Sequence, residues 1–161
     1  MTRRTRRSIR AVSGLLAAVA VIAVVAPTVG AKPAGKADSG TAYFATTYSA
    51  GGTTHAAGNS IDKLFGTGAV TYAIKTMPTT TGTIKITSNP VTLYFKNGTL
   101  TGKATGTLTV TSSTAATITN GKLSAAHGTG GQAGHSVTDT FSGTGNPAAG
   151  TYKITYKGTY N

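Results

Sequence analysis

Few side chains in this sequence could carry chemistry. There are three aspartates (Asp38, Asp62, Asp139), three histidines (His55, His127, His135), no cysteine and no glutamate. Glycosidase chemistry with two carboxylates would have to use two of the aspartates. Asp38 reads as part of a tail and Asp62 as neighbour to a helical turn, so the sequence does not pair them. Nucleophilic serine chemistry needs a Gly-x-Ser-x-Gly elbow on a strand–helix turn, and neither the motif nor an alternating βα pattern occurs. His127 and His135 stand eight residues apart with no cysteine or glutamate beside them, which does not match the closer spacing of metal ligands. Gly128-Thr129-Gly130-Gly131-Gln132-Ala133 has the outline of a dinucleotide loop. Such a loop must follow a strand and open a long helix, whereas Val137–Ser142 continues as a β-like segment. No metal and no cofactor are expected.

Asp139 is the most informative single residue. In His135, Val137, Asp139, Phe141 the alternation places a carboxyl on the apolar face, with Thr138, Thr140 and Ser142 opposite. A buried carboxyl is costly unless it is paired or hydrogen-bonded. An inward tyrosine or an internal lysine could satisfy it, or it could line a pocket as proton donor or ligand contact. The remaining possibility is a register slip that turns it outward. His135 would lie about 13 Å along an ideal strand from Asp139, at the rim of any cavity that Asp139 floors.

The elements that must position these groups are strands. Apolar and polar residues alternate through Val70–Lys75, Thr83–Thr87, Val91–Lys96 and Tyr152–Tyr160. Weaker strands fit 42–49, 115–119, 121–126 and 137–142. Thr99–Thr111 carries threonine or Lys103 on one face and Leu100, Gly102, Ala104, Gly106, Leu108 and Val110 on the other. That pattern reads as a long strand with a wet threonine face and a glycine-softened inner face able to bend into a barrel. Asn97-Gly98 and Asn120-Gly121 are hairpin signals. Ser60–Phe65 is the one helical candidate, a single turn capped by Ser60 and ended by Gly66. The fold expected is all-β, a small antiparallel barrel of about eight strands with one short helical turn; a β-sandwich is the alternative.

The amino-terminal region reads as an export signal. Five arginines fall within residues 1–10, an apolar run covers Ala11–Ala26, and Val29-Gly30-Ala31 offers small residues for cleavage. The organisation expected is a signal at 1–31, a flexible start at 32–40 and one barrel domain at 41–161. A twin-arginine outline at Arg6-Arg7 leaves the export route open. After cleavage no stable membrane anchor is expected, and the chain would be secreted, with cell-wall association as an option. The remaining ten lysines and three aspartates give a net charge of about +7. Those lysines are dispersed and every arginine is gone, which argues against nucleic acid. An anionic envelope polymer suits this charge better.

The stretch "GKLSAAHGTGGQAGHSVTDTFSGTG", Gly121–Gly145, resembles the allene oxide cyclase and dirigent family of small barrels, chiefly through Gly128-Thr129-Gly130. It departs from that pattern at Gln132 and His135. The resemblance implies an eight-stranded barrel that holds an apolar ligand and shapes its fate without a nucleophile. The Thr/Gly-rich composition and the ending "TYKITYKGTY" also resemble secreted proteins of high-GC Gram-positive bacteria.

Three function classes follow. The first is a secreted, non-enzymatic barrel binding an apolar or aromatic small molecule among Tyr72, Phe95, His135, Asp139, Phe141, Tyr152 and Tyr156. The second acts on the cell envelope through its Thr/Lys outer face. The third is a dirigent- or cyclase-like activity centred on Asp139. The near absence of ionisable groups sets the non-enzymatic reading first.

Overall fold

The computed structural model describes residues 35–75 and 81–161. The segment read as an export signal therefore lies outside the described residues. Eight strands dominate: β1 (Lys36–Ala50), β2 (Thr53–Asp62), β3 (Gly66–Lys75), β4 (Gly82–Phe95), β5 (Gly98–Ser112), β6 (Ala115–Gly130), β7 (Val137–Asn146) and β8 (Thr151–Tyr160). Each pairs antiparallel with the next, and β8 returns to β1, from Lys36 opposite Tyr160 to Ala45 opposite Thr151. The sheet is thus a closed barrel, as the alternation and the resemblance implied, and not a sandwich. Closure leaves no unpaired strand edge.

Alternation sends one face of every strand inward. In β5, Leu100, Ala104, Gly106, Leu108 and Val110 are buried, while Lys103, Thr105 and Thr111 meet solvent. Threonine suits that outer face because its branched Cβ favours extended backbone and its hydroxyl stays wet. Neighbouring hydroxyls bond across the strands, Thr83 with Thr109 at 3.0 Å and Thr92 with Thr101 at 3.3 Å.

The inner glycines have a packing role. Phe44 stands opposite Gly58, Phe141 opposite Gly121, Tyr152 opposite Gly145 and Tyr156 opposite Gly40. A Cβ on any of these glycines would collide with the facing residue. Each large ring therefore lies across a neighbour that has no side chain, which lets a narrow barrel hold many aromatics.

The structure differs from the sequence reading at four places. Ser60–Asp62 completes β2 and Lys63–Phe65 is a turn, so no helical turn forms there. The cause is Asp62, whose Oδ1 accepts the N–H groups of Leu64 and Phe65 at 2.6 and 2.8 Å and closes an Asx turn. Residues 36–40 are not a flexible tail, because they form the start of β1 against β8. Asn120-Gly121 is not a hairpin but a bulge inside β6, where the pairing with β7 shifts between Ile118 and Gly121 and Asn120 takes φ 53°. Gly128–Gly130 belongs to the end of β6 and not to a loop. Asn97-Gly98 does sit at a hairpin, joining β4 to β5 with Phe95 opposite Gly98.

Candidate functional site

All three aspartates of the chain line one cavity. The barrel's register brings them there from opposite ends of the sequence. Asp38 on β1 faces Gly158 on β8, and Gly158 in turn faces Asp139 on β7. The Asp139 carboxyl leans over this glycine; a Cβ at Gly158 would strike Asp139 Oδ1. One step along, Gly40 on β1 lies between Asp62 on β2 and Tyr156 on β8. The Tyr156 hydroxyl crosses over Gly40 and donates to Asp62 Oδ2 at 2.8 Å. Two glycines on adjacent strands thus make the notch that holds three carboxyls and a phenol.

The three carboxyls are differently satisfied. Asp62 accepts three hydrogen bonds, two from its own turn and one from Tyr156. Asp38 and Asp139 are only 4% and 3% exposed, yet Oδ1 of each has no hydrogen-bond partner. Burial pushes Asp38 up to about 8, helped by a hydrogen bond shared with Asp62 and by the charges of Asp139 and Asp62, against a lowering backbone bond at Ser39. Burial, and then the charge of Asp62, pushes Asp139 up to about 7. Burial also holds the Tyr72 and Tyr156 hydroxyls above the usual phenol range. Near neutral pH the notch is therefore a proton store: Asp38 keeps its proton and Asp139 is poised to give or take one.

The cavity has a volume of about 40 Å³ and is walled by Phe65, Phe95, Phe141, Tyr72 and Tyr94. Phe65, carried by the turn that Asp62 closes, meets Phe95 and Tyr160 edge-on at 4.6 and 4.8 Å. Tyr160 donates to Gln132 Oε1 at 3.0 Å, and Gln132 donates to Asn97 Oδ1 at 2.9 Å, which fixes the rim. A second cavity of about 30 Å³ lies beyond, lined by Phe44, Ile74, Ile86, Leu108 and Tyr152. Tyr72, Ala104, Phe141 and Ile154 border both cavities and form the waist between them.

Of the residues singled out from sequence, Tyr72, Phe95, Asp139, Phe141 and Tyr156 line the acid cavity, and Tyr152 lines the second. His135 lines neither. It stacks on Tyr160 at 4.8 Å, and its Nδ1 lies 3.0 Å from the Asn161 carbonyl oxygen. Asp38, Asp62 and Phe65 were missed. For Asp38 a weak signal was the period-2 pattern run backward from the strand read at 42–49, as in Asp38, Gly40, Ala42, Phe44; no strand was read at Thr53–Asp62, and Phe65 lies in the turn that follows it.

Among the described residues, no three histidine, cysteine or acidic side chains converge closely enough to hold a metal ion. The arrangement offers hydrogen-bond acceptors, stored protons and aromatic walls. The chain matches no protein-family model, no curated protein and no solved structure.

Proposed function

We propose that the protein is a secreted binding barrel that takes a small, flat, largely apolar molecule into the acid end of its interior. One observation carries this reading: an aromatic-walled cavity is lined by Asp38 and Asp139, each of which keeps a buried carboxyl oxygen with no hydrogen-bond partner. A core that merely filled the barrel would satisfy its polar atoms internally, because an unpaired buried acceptor costs about 1–3 kcal/mol. Concave, mostly apolar sites with a few convergent polar groups are the usual form of small-molecule sites. Native mass spectrometry of the protein from its producing source, before and after denaturation, tests the reading. A reproducible mass excess lost on denaturation supports it. A bare mass, together with no shift of the Phe65 or Phe95 ring signals by any of a panel of single-ring aromatics, removes it.

A second reading rests on the distribution of charge. Every lysine among the described residues is exposed, whereas all three acids line the cavity. The outer face therefore presents cations and threonine hydroxyls, which suits an anionic envelope polymer. Retention on isolated cell wall that is lost at high salt supports this reading, and no retention at low salt sinks it.

A further inference from the structure

The cavity reading leaves the polar part of the ligand open, and the notch narrows it. We infer that the acid end is an ammonium site: it takes a single-ring primary amine, with the –NH₃⁺ group between Asp38 and Asp139 and the ring against Phe65, Phe95 and Phe141. This inference rests on the binding-barrel reading above and adds the chemical class of its ligand.

Three features point to a cation with N–H donors. The first is the pair of unpartnered oxygens. Asp38 and Asp139 both line the cavity and both pair with the same side-chain-free residue, Gly158, and each keeps a buried Oδ1 with no hydrogen-bond partner. An ammonium has three donors and no acceptor, so it can bond both oxygens and spend its third N–H on the Asp62 side of the notch. The second is missing countercharge. Three carboxyls share the cavity, and no lysine, arginine or histidine lines it. The groups that face Asp38 and Asp139 from the neighbouring strands are Asp62 on β2, Tyr72 on β3 and Tyr156 on β8, all acids or phenols. The empty protein holds the notch together by keeping protons, and a bound cation would replace them. The third is the wall, since aromatic faces attract a cation as well as the apolar body behind it.

A metal ion is the competing cation. The carboxyls do not converge closely enough for one, because metal–oxygen bonds of about 2.0–2.6 Å need tighter convergence than N–H···O bonds of about 2.8 Å. A neutral ligand bearing a carbonyl is the other competitor, since protonated Asp38 and Asp139 could donate to it. The two organic classes respond oppositely to pH. Ammonium binding must displace the stored protons, so affinity rises from pH 5.5 to 8.5. A carbonyl ligand uses those protons, so its affinity falls over the same range.

The experiment is calorimetric titration of the full-length protein with benzylamine, benzyl alcohol and benzaldehyde at pH 5.5, 7.0 and 8.5. Benzylamine is expected to bind at least about tenfold more tightly than benzyl alcohol at pH 8.5, and to tighten by about tenfold or more from pH 5.5. Its binding heat should vary with buffer ionisation enthalpy, reporting proton release. Asp139→Asn and Asp38→Asn, each checked for fold by circular dichroism, should remove the preference for amine over benzyl alcohol. Equal binding of amine and alcohol, or affinity that falls with pH, overturns the ammonium site and leaves the binding barrel standing. If none of the three probes binds, both readings fall. Should an Asn variant fail to fold, the comparison of probes and pH on the unaltered protein still decides.

Discussion

The two cavities of this barrel share a waist and differ in nearly everything else. Beyond the waist, Phe44 is sandwiched between Tyr72 at 4.9 Å and Tyr152 at 5.4 Å, with Ile74, Ile86 and Leu108 around them. At the near end the same scaffold of rings over glycines encloses Asp38, Asp62 and Asp139. One end is stabilised by apolar burial that no change of pH touches. The other carries unpaired acceptors and repelling carboxyls, and its stability depends on bound protons. Sites for ligands lie at the end where the fold gives up stability, since groups arranged to meet a ligand are poorly satisfied without one.

Removing the central ring of the far end should have the largest effect. Phe44→Ala is expected to cost about 3–5 kcal/mol, with the same loss at pH 5 and pH 8.5 by denaturant unfolding. A pH-dependent loss would show that the ends are coupled through the waist. Tyr156→Phe takes the hydroxyl from Asp62 Oδ2 and should cost about 1.5–3 kcal/mol, measured the same way.

The pH profile itself sharpens the contrast. Asp38 and Asp139 titrate near 8 and 7 when folded but near 4 when unfolded. The folded state therefore binds more protons between those values, and stability must fall as pH rises from about 4 to about 8 and then level off. Asp38→Asn should flatten that slope and raise stability at pH 8.5 by about 1–2 kcal/mol, because a neutral amide cannot repel Asp62 and Asp139. Thermal unfolding across pH checks it, and a slope unchanged by the substitution would place the proton elsewhere. The smallest effect belongs to the outer face. Thr109→Ala removes a hydroxyl pair with Thr83 at a cost within about 0.5 kcal/mol, and it should leave both the pH slope and any ligand binding as they were.

The barrel was legible in the sequence because its signal is repeated: inner apolar positions recur at period 2 through strand after strand. The carboxyl notch was only partly legible. Asp139 showed itself, since it interrupts an apolar face between Val137 and Phe141. Asp38 did not, because its strand begins with Lys36, Ala37 and Ser39 around it, a composition that reads as a tail. What makes that segment a strand is the partner β8, more than a hundred residues away, and the faint alternation of Asp38, Gly40 and Ala42 does not reveal it. Asp62 was seen but misplaced, since Ser60 looked like a helix cap while Asp62 itself closes the turn. Asn120-Gly121 failed for a related reason. The pair supplies positive φ equally well to a hairpin and to a bulge, and only the register with β7 decides between them.

The pairing of β1 with β8 has a consequence for the order in which this protein can be made. Asp38 and Asp62 come from the first two strands, Asp139 and Tyr156 from the last two. A chain synthesised from its amino terminus can zip β1 through β7 by local hairpins, each closing a short loop. The final ladder, Lys36–Ala45 against Thr151–Tyr160, must wait until β8 exists and must close the longest loop in the fold. The notch forms in that same step, since Gly158 arrives with β8 and only then sits between Asp38 and Asp139. A nascent or truncated chain can thus be largely folded and still have no site, and a molecule held in the notch would latch the first strand to the last.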